Sequence, residues 1–185
     1  MASAFSHAFV ALAMGKAFRN KELSWRELVL GACCSALPDL DVIGFLFGIE
    51  YGDLWGHRGM THSIVFAVLL AGILVALWYR GRPAIATTGL FFYFFFCTAS
   101  HGVLDAMTDG GLGVAFFSPF DTTRYFFPVR PVLVSPIGIG EFFNAYGVQV
   151  LVSEAAWIWL PSLVAFVLLR VIQRFWSAKP VASRS

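Results

Sequence analysis

The residues in this chain that could do chemistry are its four histidines and a matching set of acids. The candidates are His7, Asp39, Asp41, His57, His62, His101 and Asp105. His101 and Asp105 stand four residues apart, so on a helix they share one face and arrive pre-positioned. Asp39 and Asp41 follow Pro38 directly, and His57 and His62 bracket Arg58-Gly59-Met60-Thr61, where Gly59 permits a tight turn. Imidazole and carboxylate donors suit zinc, with manganese or iron as alternatives. The three cysteines form no CxxC pair and no disulfide framework, and are expected to pack between helices as small residues. Seven candidates exceed the three or four donors one catalytic zinc takes. Some must therefore support the ligands, or a second metal binds.

These residues need elements to hold them, and composition says where those elements lie. The 185 residues are enough for one domain, 58% are hydrophobic and 13% are charged. Soluble domains carry about 25% charged residues, so this is a membrane composition. A net charge of +2 excludes a broad basic nucleic-acid surface. The expected fold is all-α, a polytopic membrane bundle of about five helices. Three spans are clear: Ser63 to Trp78, Ile85 to Ala106 with its FFYFFF run, and Val148 to Val171. Two N-terminal ones are short or broken: Ala2 to Phe18, and Leu28 to Phe47, which Pro38 should stop near Leu37. The first is read as a retained helix and not a signal peptide, because Lys16, Arg19 and Lys21 follow its apolar run. A long, apolar loop from Thr108 to Asn144 separates helices four and five and should lie on or dip into the membrane, covering something. Residues 1–178 form a single membrane-embedded domain, and 179–185 a disordered cytoplasmic tail.

Basic residues set the orientation. With alternating crossings, Lys16, Arg19, Lys21, Arg26, Arg80, Arg82, Arg170, Arg174, Lys179 and Arg184 share one side, against Arg58, Arg124 and Arg130 on the other. The expectation is a bacterial inner (cytoplasmic) membrane protein with its N-terminus outside and its C-terminus cytoplasmic. The same alternation brings every histidine, with Asp39, Asp41 and Asp105, to the outer end of the helices. Ionisable groups at membrane depth are costly and usually functional.

Lesser polar residues have plainer expected roles. Asp53 and Asp109 read as loop or cap residues, and Thr61 and Ser63 as a helix cap. Asp121 and Arg124 are expected to pair with each other rather than to steer an anionic substrate. Glu154 is either a partner to a ligand or a structural hydrogen-bonding group. The aromatic run Phe91 to Phe96 should divide between core and lipid.

LPDLD at 37–41, HRGMTHS at 57–63, HGVLDAMTDGG at 101–111 and FSPF at 117–120, with the early His7, resemble the membrane-bound metal-dependent hydrolase family related to bacterial YdjM, a domain of unknown function. The early His, the Pro-Asp after a helix and the HxxxD helix are also faintly similar to zinc-dependent phospholipase C, which cleaves phosphodiesters at a multinuclear zinc cluster. The resemblance implies a metal-dependent hydrolase. Placed at a membrane interface, its expected substrate is a membrane lipid or lipid-linked molecule of the outer leaflet, first as a phosphoester and second as an ester or amide. His7, Asp39, His57, His62, His101 and Asp105 would bind the metal. Asp41 would bridge, support a ligand or take the proton of water, and Arg58 would neutralise an oxyanion. The alternative expectation is an ion or proton transporter or channel built on the same cluster.

Overall fold

The computed structural model describes residues 1–17 and 23–177. The order is α1 (Ala4–Ala17), α2 (Trp25–Ala36), a 3-10 segment (Leu37–Phe47), a short 3-10 turn (Met60–His62), α3 (Ile64–Trp78), α4 (Ala84–Ala106), α5 (Ile139–Phe142), α6 (Ala145–Glu154), a π-helical turn (Ala155–Trp159) and α7 (Leu160–Ser177). The described residues contain no strand, only isolated bridges at Thr108–Val132 and Val114–Tyr125. The described residues are thus all-helical, with five helical rods and one small extra helix. The expected tail at 179–185, with Arg19 and Lys21, lies outside the described residues.

Among the described residues, three rods are long and apolar enough to cross a membrane: Trp25–Phe47, Ala84–Ala106 and Ala145–Trp176. Their number matches expectation but their membership does not. The stretch from Ser63 to Trp78 supplies only the 15 residues of α3, because Ser63 is spent as its cap. At 1.5 Å per residue α3 reaches about 22 Å, short of a bilayer core of about 30 Å. The second helix is longer than expected. The α-helix ends beside Pro38, as that residue's missing N–H requires, but the chain stays helical as a 3-10 segment to Phe47.

α1, α2, α3 and α4 pack into one bundle around Ala11, Leu28, Cys34, Ala71, Leu90, Tyr93, Phe94 and Cys97. Cys34 and Cys97 fill this core as small side chains, while Cys33 is exposed. The aromatic run divides as expected, with Tyr93 and Phe94 buried and Phe92 and Phe96 exposed. At the far end from the cluster, Ser24 and Glu27 form a capping box for α2, and the Tyr79 hydroxyl donates to the Glu27 carboxylate (3.2 Å). The last rod docks on α1 but buries few of its residues, an apolar surface suited to lipid.

The segment between α4 and α5 folds back over one end of the bundle. Its backbone ties to α4 through Val132 N–H to Met107 O (3.3 Å) and Phe127 N–H to Ala106 O (3.0 Å). It ties to the chain start through Ser135 N–H to Met1 O (2.9 Å). The covering loop therefore covers the end where the histidines lie.

Candidate metal centre

All four histidines meet beneath that cover, and His7, His57, Arg58, His62, His101 and Asp105 are all buried. Five parts of the chain deliver them. α1 carries His7, the 3-10 segment carries Asp39 and Asp41, and the turn before α3 carries His57, Arg58 and His62. α4 carries His101 and Asp105, and the chain start contributes the Ala2 N–H. Two glycines permit the approach. A Cβ on Gly59 would lie 2.3 Å from the Leu54 carbonyl, so the expected tight turn needs glycine there. A Cβ on Gly102 would press to 3.0 Å from the His62 carbonyl, so glycine after His101 lets the turn sit on α4.

Hydrogen bonds to the His101 and His62 rings fix which nitrogen is free. His101 Nδ1 lies 2.6 Å from the Ser35 carbonyl, which can only accept, so Nδ1 carries the hydrogen and Nε2 the lone pair. Thr61 Oγ1 donates to Asp41 (2.6 Å) and stands 3.0 Å from His62 Nδ1, which also faces Asp41 at 3.2 Å. His62 Nδ1–H therefore points to Thr61 and Asp41, and its Nε2 is free as well. The two Nε2 atoms face each other at 3.0 Å. Asp39 Oδ1 lies 3.2 Å from His101 Nε2 and 3.8 Å from His62 Nε2, and Asp105 Oδ2 lies 3.8 and 3.5 Å from the same atoms.

With His62 deprotonated, four electron-pair donors thus converge, and Arg58 Nε, 3.1 Å from Asp105 Oδ2, is a protein cation beside them. Both Asp39 oxygens and Asp105 Oδ2 are buried without a hydrogen bond. One guanidinium does not balance two carboxylates facing two imidazole nitrogens, and a metal ion or a proton among the four atoms would complete the set. Asp39, His62, His101 and Asp105 each offer a ligand atom within 4.8 Å of the others. In a tetrahedron with bonds of about 2.0–2.1 Å, ligand atoms lie about 3.3 Å apart, so the set fits a zinc-sized ion. The charge around His62 points the same way. Burial alone would lower its pKa, but hydrogen bonding to Asp105, Asp39 and Asp41 raises it to about 10. Without a metal, a proton occupies the position the cation would take.

The remaining candidates surround this set. His7 stacks flat on His101, with ring centroids 3.8 Å apart, and its Nε2 stands 3.5 Å from Asp105 Oδ1. That oxygen also accepts the Ala2 N–H (2.7 Å). Asp41 differs sharply from Asp39. It accepts from His57 Nδ1 (2.7 Å), Arg58 N–H (3.2 Å) and Thr61 Oγ1. Asp41, His57 and His62 are also close enough to hold an ion. Asp41 already has a donor for each oxygen, so this triple is a completed network in which Asp41 orients two imidazoles. His57 keeps a buried Nε2 without a partner.

Arg58 turns inward. Its Nε is 3.1 Å from Asp105 Oδ2, and its terminal nitrogens donate to Gly110 O (2.8 Å) and Thr108 Oγ1 (3.0 Å). In this arrangement it neutralises a protein carboxylate. Its φ of 63° is uncommon for a bulky residue and is held by Ala115 N–H on its carbonyl (3.0 Å).

Asp121 and Arg124 do not pair as expected. Arg124 clamps the carbonyls of His57 (2.8 Å), Tyr51 (2.8 Å) and Asp53 (3.2 Å). Asp121 accepts from Thr123 N–H and the Tyr125 hydroxyl. Ser63 caps α3 but Thr61 does not, since it serves Asp41. Asp53 braces a turn, accepting from Glu50 N–H (2.9 Å), and Asp109 ties the end of α4 to the covering loop, accepting from Val134 N–H (2.8 Å).

Ser35 and Thr108 were missed by the residue pattern. Ser35 offers its carbonyl to His101 and its hydroxyl to the His7 carbonyl (2.7 Å). The signal was available, because a carbonyl in the last turn of α2 lacks a partner within its own helix.

Comparison with known proteins agrees with the motifs. The chain is 36% identical over 170 residues to the inner membrane protein YbcI of Escherichia coli (strain K12), covering 89% of this chain and 94% of that protein. No solved structure matches it. The model of the YdjM inner membrane protein family matches residues 1–177, and the chain belongs to that family.

Proposed function

We propose that this protein is a membrane-bound metal-dependent hydrolase whose centre is Asp39, His62, His101 and Asp105, acting on a lipid or lipid-linked phosphoester at the outer leaflet. The observation that carries the proposal is the convergence of four ligand atoms within 4.8 Å of one another, with both Asp39 oxygens and Asp105 Oδ2 buried and lacking a hydrogen bond. A divalent metal held there, zinc first, supplies Lewis acidity and activates water for hydrolysis. His7, beside Asp105 Oδ1, is placed to act as a further donor. Asp41 fixes the tautomers of His62 and His57 and leaves both Nε2 atoms free. His57 Nε2 is the basic atom left to hold or pass a proton. Arg58 and the Ala2 N–H hold Asp105 and moderate its charge.

Two observations favour hydrolysis at one membrane face over ion passage. Asp39 keeps the one partly exposed edge among the four, at 11%. Below His101 the bundle is closed by Cys97, Phe94, Tyr93 and Leu90, and no file of acids leads onward among the described residues. The outer location is proposed from the basic residues gathered at the opposite helix ends.

The test is turnover by the purified chain in nanodiscs of phosphatidylethanolamine and phosphatidylglycerol. Release of a water-soluble headgroup phosphate or a phosphatidic acid, stopped by chelator and restored by zinc, is the expected result. No cleavage with zinc, manganese or iron, together with metal-dependent ion flux in liposomes, overturns it in favour of ion passage.

A further inference from the structure

Two apolar grooves adjoin the start of α1, with volumes of about 220 and 450 Å³, and they share Phe5, Phe142 and Phe143 as a common wall. Together they are of the size of ordinary ligand sites, roughly 300–1,000 Å³. Their two ends differ in character. The larger runs along Gly147, Val148 and Leu151 of α6, the beginning of the membrane-crossing rod Ala145–Trp176. The smaller ends among Met1, Ser3 and Ser135. Phe5 and Phe143, on the shared wall, touch Phe142 and are still 57% and 74% exposed among the described residues.

The polar end lies beside the metal centre along the chain. Between Met1 and Ser3 stands Ala2, whose N–H holds Asp105, and two residues beyond Phe5 stands His7. The groove thus begins on a membrane-crossing helix and ends at the segment that positions two groups of the cluster. Within a bilayer, the molecule of matching chemistry at such a surface is an acyl chain, whose methylenes gain nothing from water and meet no unsatisfied polar group here.

We infer that this groove takes one acyl chain of a membrane phospholipid and so presents that lipid's headgroup linkage to the His/Asp centre. The inference rests on the hydrolase reading for the purpose of the site, but not for its occupancy. A lipid held this way is selected by its chain as well as its headgroup. Binding energy from the remote chain fixes the reacting bond in place.

The experiment uses the full chain in nanodiscs of phosphatidylethanolamine and phosphatidylglycerol that contain a phosphatidylethanolamine with a diazirine at its acyl terminus. After photolysis, labelled peptides are mapped by mass spectrometry, with chelator present so that turnover plays no part. The expected result is roughly tenfold denser labelling over residues 142–151 than over the exposed apolar face of α7 at Val164 and Leu168. Val148→Trp, which fills the groove, and Phe143→Ala, which removes its wall, each abolish the excess while zinc stoichiometry stays unchanged. Leu168→Trp leaves it in place. Equal labelling of the groove and α7, or an excess that survives both groove variants, overturns the inference. Groove labelling without cleavage under any metal sinks the hydrolase reading alone, and cleavage without groove labelling sinks the groove alone.

Discussion

Two buried carboxylate sites flank the start of α1, and they are built on opposite plans. On one side Glu154, fully buried, accepts the backbone N–H and hydroxyl of Ser3 and the Ser6 hydroxyl (2.8 Å). Trp159 Nε1–H completes the network on Ser6 Oγ (2.8 Å). The π-helical turn after Glu154 makes this possible, because its wider winding sets residues five apart over one another. On the other side Asp39 and Asp105 face two imidazole lone pairs and leave three oxygens without a hydrogen bond. A buried acid supplied with donors is finished and serves as a latch. A buried acid surrounded by acceptors is unfinished until a cation arrives. Burial alone does not mark a metal site; the sign of the surrounding hydrogen-bonding groups does.

Substitutions at the two sites should therefore separate cleanly. The largest effect is expected for His101→Ala and Asp39→Asn, which remove ligands: zinc affinity should fall by more than about 100-fold, read by competition with a chromophoric chelator. Asp41→Asn removes the group that orients His62 and His57, and should weaken zinc by about 10- to 100-fold without abolishing it. Equal losses for Asp39→Asn and Asp41→Asn would erase the distinction between them.

Proton competition gives the next effect. The His62 pKa is raised to about 10, so at neutral pH the metal-free site holds a proton that must leave on binding. Apparent zinc affinity should rise by about tenfold per pH unit between pH 6 and 8, measured by the same titration in matched buffers. A flat profile would place the proton elsewhere.

The smallest effect on metal belongs to Glu154→Gln. It should leave zinc stoichiometry intact while lowering thermal stability by about 1–3 kcal/mol, because a buried amide cannot accept from all of the Ser3 and Ser6 donors. Zinc loss in this variant would mean that the latch and the metal centre are one device.

Much of this arrangement is legible in the sequence, for physical reasons. On the expectation of alternating crossings, helix ends fall at two levels and every histidine with its acids falls at the same one, and the structure brings them together. Pro38 marks the end of α2 because it lacks an N–H. The difference between Asp39 and Asp41 was not legible. Two residues apart in one motif, they are told apart only by the Thr61 hydroxyl and Arg58 N–H that a distant turn brings to Asp41. The inward direction of Arg58 likewise depends on Thr108 and Gly110, fifty residues on. α3 was expected to span because its residues are apolar enough, but the turn that carries His62 to the cluster takes up the residues before it. The π-helical turn has no composition signature and is defined by the backbone bond from Leu160 N–H to Ala155 O.

If Asp39, His62, His101 and Asp105 hold a metal ion, the metal-to-chain ratio of the purified protein shows it most directly. Measured by inductively coupled plasma mass spectrometry after zinc reconstitution and desalting, the wild-type chain should carry about one zinc, or more if the neighbouring triple also fills, and His101→Ala essentially none. A wild-type ratio near zero, or equal ratios in the two proteins, would contradict it.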